Sequence, residues 1–164
     1  MATSIGQRID EAVMLTKNKE YLAALTEFMS IYSGEEPPTM LMTTKTATGL
    51  SYFGLCLALI QKKFKPAIDL CKRALELQFY SSEHHANLSR VYLAAGNRKK
   101  ALEAVEAGMR IHPEDEGLIL VRRSLGVRAR PAVPFLDRSN PINVSLGQAR
   151  HAKKIADREA KRKK

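Results

Sequence analysis

Residues 82–111 read SEHHANLSRVYLAAGNRKKALEAVEAGMRI, and His112-Pro113 follows. Apolar and small side chains recur at Ala86, Leu88, Ser89, Tyr92 and Leu93, which is helical spacing. The run then meets Ala94-Ala95-Gly96-Asn97, where Gly96 suits the left-handed position past a helix end. A second periodic run places Ala101, Leu102, Val105, Gly108 and Met109 on one face. His112-Pro113 stops it, because the residue before a proline disfavours α geometry. The reading is two antiparallel helices joined by a tight turn. Such helices approach closely only where side chains are small. Ser89, Ala101 and Gly108 are placed to allow that approach, and Leu88 and Tyr92 fill the space between.

The pattern recurs upstream. Phe64, Ala67, Cys71 and Ala74 repeat the offsets of the turn and second helix, with Pro66 in a first turn where its missing N–H costs little. Gly54 lies one residue from the expected small position, a slip placed around Gln61-Lys62-Lys63. Nearer the N-terminus, Ala12 and Leu15 match a first helix, and Tyr21, Ala24, Phe28 and Ile31 match a turn and second helix. Between Tyr32 and Ala47 the spacing breaks. A loop is expected over 33–38, with residues 40–42 extending the next helix. After Pro113, Glu114-Asp115-Glu116 suits a helix N-terminus.

These offsets resemble the tetratricopeptide repeat, whose period is about 34 residues. Leu88, Ser89, Tyr92, Gly96, Ala101, Val105, Gly108 and Pro113 fall on its signature positions; His85 stands in place of its first-helix Trp, and Phe79 in place of one closing proline. The resemblance implies an all-α fold, a right-handed α-α superhelix of helical hairpins. The expected repeats cover about 5–38, 48–81 and 82–115, and a capping helix at 116–125 completes a domain over 5–125. A Pro-containing extended segment is expected over 126–143, and a basic helix or tail over 144–164.

In that family the first helices line a concave groove that takes a partner segment. The ligand-facing positions fall here on Ile9, Val13, Thr16 and Lys17, on Tyr52, Cys56, Leu59 and Ile60, and on Glu83, Ala86, Arg90, Leu93 and Ala94. The expected groove residues are Ile9, Val13, Tyr52, Cys56, Leu59, Arg90 and Leu93. Ile9 and Val13 stand where the family's terminal-carboxylate clamp has Lys and Asn, so the groove reads as apolar rather than as that clamp. A second arrangement stays open, in which residues 130–136 cover the same surface, with Val133, Phe135 and Leu136 seeking burial.

Charge is unevenly placed. Residues 1–120 hold 14 Lys/Arg and 14 Asp/Glu, whereas residues 121–164 hold 13 against 3, so the formal charge of +10 belongs to the last segment. Arg150, Lys153, Lys154, Arg158, Lys161, Arg162, Lys163 and Lys164 form the expected polyanion-binding tail. No aromatic side chain follows Phe135, so base stacking is not indicated.

No catalytic constellation emerges. His84, His85, His112 and His151 are scattered, Cys56 and Cys71 fall in apolar helical patterns, and the nine glycines form no phosphate loop. No metal-ligand spacing and no cofactor motif is present. The N-terminal MATSIGQR has no apolar core of a signal peptide, and residues 49–60 fall short of the roughly 20 needed to cross a bilayer. The expectation is a non-catalytic, cytoplasmic interaction scaffold that binds a protein or peptide partner. A homodimer is open to it through its terminal faces. The alternatives are a nucleic-acid-associated protein acting through the tail, and a small chaperone of the same repeat type.

Overall fold

A computed structural model of the chain describes residues 4–32, 44–126, 133–137 and 140–162. The loop expected over 33–38, the helix extension over 40–42, and residues 130–132 lie outside them. The described residues are helical and contain no strand. They divide into two compact units, Met1–Gly126 and Val127–Lys164.

The first unit holds α1 (Ile5–Lys17), α2 (Tyr21–Tyr32), α3 (Thr44–Cys56), α4 (Phe64–Leu77), α5 (Ser82–Ala94), α6 (Arg98–Ile111) and α7 (Glu116–Leu125). A π-helical turn over Leu57–Gln61 prolongs α3 without a break. Helix starts are set by short polar side chains. Ser4 and Gln7 form a reciprocal capping box at α1. Ser81, Asn97 and Asp115 each accept from an amide of the turn they open.

Three hairpins share one turn. Lys19, Lys62 and Gly96 carry positive φ values of 68°, 56° and 75°. In each case the second helix begins two residues later, at Tyr21, Phe64 and Arg98. Ala24, Ala67 and Ala101 follow at the same offset and are all fully buried, as are Phe28, Cys71 and Val105 one turn further on. The helices touch closely at these points. A Cβ on Gly54 would lie 2.7 Å from the Ala67 carbonyl oxygen and 2.8 Å from Cys71 Sγ. Ser89 fills the equivalent place and donates its hydroxyl to the Ala101 carbonyl at 2.7 Å.

The one-residue slip of the second copy has a structural cause. Ala12 and Ser89 each stand seven residues before their positive-φ residue, Gly54 eight before Lys62. The π-helical turn lies between them, and an i→i+5 turn holds one residue more than an α turn. The extra residue is therefore absorbed within Leu57–Gln61, slightly upstream of the place expected.

The hairpins pack unequally. The first helices touch in succession, α1 on α3, α3 on α5 and α5 on α7. The second helices α2, α4 and α6 do not touch one another; each packs on its own first helix and on the next one. Helix α7 takes the place of a further first helix. Its Leu118, Val121 and Leu125 are buried, and Leu118 packs where Gly108 leaves room.

In the second unit, α8 runs Pro141–Arg162. It starts earlier than expected because a proline at the first helical position loses no intrahelical hydrogen bond. The Asn140 side chain accepts from the Ile142 amide at 3.0 Å and supports that start. Asn143, 6% exposed, exchanges hydrogen bonds with both the amide and the carbonyl of Val133, and donates to the Leu136 and Asp137 carbonyls. Residues 133–137 are thus turned onto Asn143 rather than extended, and Phe135 is 86% exposed rather than buried.

Candidate binding groove

The C-terminal parts of α1 and α3, the starts of α2 and α7 and the length of α5 line a groove of about 970 Å³. Thr16, Lys17, Lys19 and Tyr21 form one wall, and Glu83, Ala86, Arg90, Leu93 and Ala94 of α5 form the other. Tyr52, Leu55 and Leu59 form the floor, and Ser82, Asp115 and Gly117 close one end.

Of the expected groove residues, Tyr52, Leu59, Arg90 and Leu93 come together there. Ile9, Val13 and Cys56 do not; they are 2%, 8% and 0% exposed and belong to the core. The reason is that α1 packs directly on α3. Ile9 lies against Gly49, where an added Cβ would come within 3.1 Å of it. Cys56 Sγ lies 3.3 Å from Thr16 Oγ1 between the same two helices, and burial raises its thiol pKa. Cys71 is pushed up to about 12 by burial. Lys19, Tyr21, Leu55, Ser82, Asp115 and Gly117 were not anticipated in the groove. Lys19 lies in the turn before α2 and Tyr21 opens that helix, and a mapping confined to first-helix faces passes over both.

A polar network crosses the groove. Lys17 Nζ pairs with Glu83 Oε1 at 3.0 Å, and the Tyr52 hydroxyl donates to the same oxygen. Burial first, then Glu83, keeps the Tyr52 phenol protonated far above its ordinary range. The Lys17 ammonium also stands 5.6 Å from the Tyr52 ring centroid. Beneath, Arg90 donates to Asn87 Oδ1 at 2.9 Å, and Asn87 donates to Ser51 Oγ at 3.1 Å. At the closed end, the Ser82 hydroxyl donates to Asp115 at 2.7 Å and the Leu118 amide to its other oxygen at 2.9 Å. These two bonds hold the Asp115 carboxyl below its usual range.

Met29, Phe53, Leu57, Pro66 and Leu70 give the apolar part of a second depression of about 780 Å³ among α2, α3 and α4, which Lys63, Asp69, Lys72, Arg73 and Glu76 also line. In the second unit, Arg150 and Lys153 are exposed on α8. The side chains of Lys154, Arg158, Lys161 and Arg162 lie outside the described residues, as do Lys163 and Lys164 entirely. Among the described residues no three His, Cys, Asp or Glu side chains group as metal ligands. No described helix is long and apolar enough to cross a membrane.

No protein-family model matches the chain, nor does any curated protein.

Proposed function

We propose that the chain is a tetratricopeptide-type scaffold that receives a segment of a partner protein in the groove and performs no catalysis. The observation that carries this reading is the convergence of residues from the first helices of three hairpins, and from the start of α7, on one open cleft. A row of touching first helices beside second helices that do not touch is the packing expected of a curved repeat array. The groove also combines half-exposed apolar side chains with fixed polar ones, the mixture typical of binding sites. Peptides displayed on phage and selected on the full chain test this. Leu59→Asp and Leu93→Asp variants that still melt cooperatively are expected to lose the selected peptides. Undiminished binding by both variants overturns the groove as the site.

The exposed Arg150 and Lys153, on a helix whose sequence continues strongly basic, favour a second activity: attraction of a polyanion such as RNA.

A further inference from the structure

The charges in the groove are unequally satisfied. Both carboxylates are engaged within the molecule. Glu83 receives Lys17 and the Tyr52 hydroxyl, and Asp115 receives Ser82 and the Leu118 amide at the start of α7. The three cations fare differently. Lys17 is neutralised by Glu83. Arg90 gives an N–H to Asn87, a neutral acceptor, so its charge is uncompensated. Lys19 has no carboxylate within 4.0 Å among the described residues. Two open positive charges therefore share the groove with the apolar side chains of Leu59 and Leu93.

We infer that the groove selects partner segments in which an apolar anchor residue is flanked by Asp or Glu. The anchor lies on Leu59 and Leu93, and the carboxylate meets Arg90 and Lys19. This rests on the groove being the binding site. Charge complementarity supplies the argument. A carboxylate compensates guanidinium and ammonium groups held in a cleft, where partial desolvation strengthens the attraction, and a lysine at the same place is repelled. Arg90 is suited to the role because its fork can give two parallel N–H bonds to a carboxylate while a third stays on Asn87.

The test uses fluorescently labelled twelve-residue peptides with one Leu or Phe anchor, flanked by Asp, Asn, Lys or phosphoserine, titrated by anisotropy onto the full chain. The Asp set is expected to bind about tenfold more tightly than the Asn set at low salt, and the difference should shrink as salt rises. The Lys set should bind worst. Arg90→Gln combined with Lys19→Gln should erase the preference while Asn-set binding persists, which shows that the fold and the apolar surface are intact. Arg90→Glu should shift the preference towards Lys. Tighter binding of phosphoserine than of Asp would replace the carboxylate by a phosphate as the preferred anion and overturn the assignment. Equal binding of the Asp and Asn sets by the wild type, or an Asp preference that survives both double Gln substitution and Arg90→Glu, also overturns it while leaving the groove reading in place. If no set binds the wild type, or binding is indifferent to Leu93→Asp, the groove reading itself fails.

Discussion

At the residue scale, Gly54 governs how closely α3 and α4 approach and His84 how stability responds to acid. Gly54 was legible in the sequence because the hairpin pattern calls for a small residue near it. Its need for glycine was not, since Ser89 serves in the third hairpin with a hydroxyl turned to a carbonyl. In the second hairpin the space is taken by the Ala67 carbonyl and Cys71 Sγ, and the former is backbone that cannot step aside. Gly54→Ala should therefore destabilise the fold by about 1–3 kcal/mol, despite the better helix propensity of alanine. Urea unfolding measures it; a neutral effect would mean that α3 and α4 can separate freely. His84 is the second position. It is fully buried, and burial pulls its pKa down to about 4 against an ordinary value of 6.5. Burial lowers that of His85 as well. A folded-state pKa below the unfolded one means the unfolded chain binds the extra proton first. The stability is complete above about pH 6.5 and is lost as pH falls from there towards 4. The loss from His84 is on the order of 2–3 kcal/mol. His84→Gln should flatten the dependence of the unfolding free energy over that window, and an unchanged slope would assign the pH response elsewhere.

At the scale of elements, the sequence disclosed helices and partners better than it disclosed boundaries. The offsets of Ala24, Ala67 and Ala101 are readable because a small buried residue is needed where two helix axes come close. The π-helical turn was readable only as a slip, since a surplus residue shows its presence in an alignment but not which turn widens to hold it. The start of α8 was missed because Pro141 breaks a helix interior but opens one without cost. Nor did sequence reading find the clasp of Asn143 on residues 133–137, which depends on backbone groups that any residue would supply. The shared turn yields a prediction of its own. Gly96 adopts φ 75° freely, but Lys19 and Lys62 hold left-handed values with a Cβ. Lys62→Gly removes that strain and adds some unfolded-state entropy, so the net gain should be small, about 0.5 kcal/mol. A rise of about 1–2 °C in Tm checks it. A fall would mean that the lysine side chain contributes more than its backbone costs.

At the scale of the whole molecule, the groove and the basic segment call for different ligands, and this makes the two readings separable. The groove residues fall among residues 1–120, where 14 cations balance 14 acids, so its field is local and set by Arg90 and Lys19. What was legible of it, Tyr52, Leu59, Arg90 and Leu93, came from the ligand-facing positions that the repeat resemblance implies. What failed, Ile9, Val13 and Cys56, failed because such positions give the face of a helix but not how much of that face its neighbour covers. The last 15 residues carry eight Lys/Arg, and attraction by such a run works through released counterions rather than through fit. A chain ending at Ala149 should therefore lose most of its affinity for poly(U), and with it the steep fall of affinity with salt. On single-stranded RNA each neutralised phosphate contributes about −0.7 to the slope of log K against log salt, so eight cations set a limit of about −6. Groove peptides should bind the shortened chain as they bind the full one, and Arg90→Glu should alter peptide choice while sparing RNA. Retention of the full salt slope after removal of residues 150–164 would place the polyanion site within residues 1–149, where the sequence has further cations besides those of the groove, Arg122, Arg123, Arg128, Arg130 and Arg138 among them.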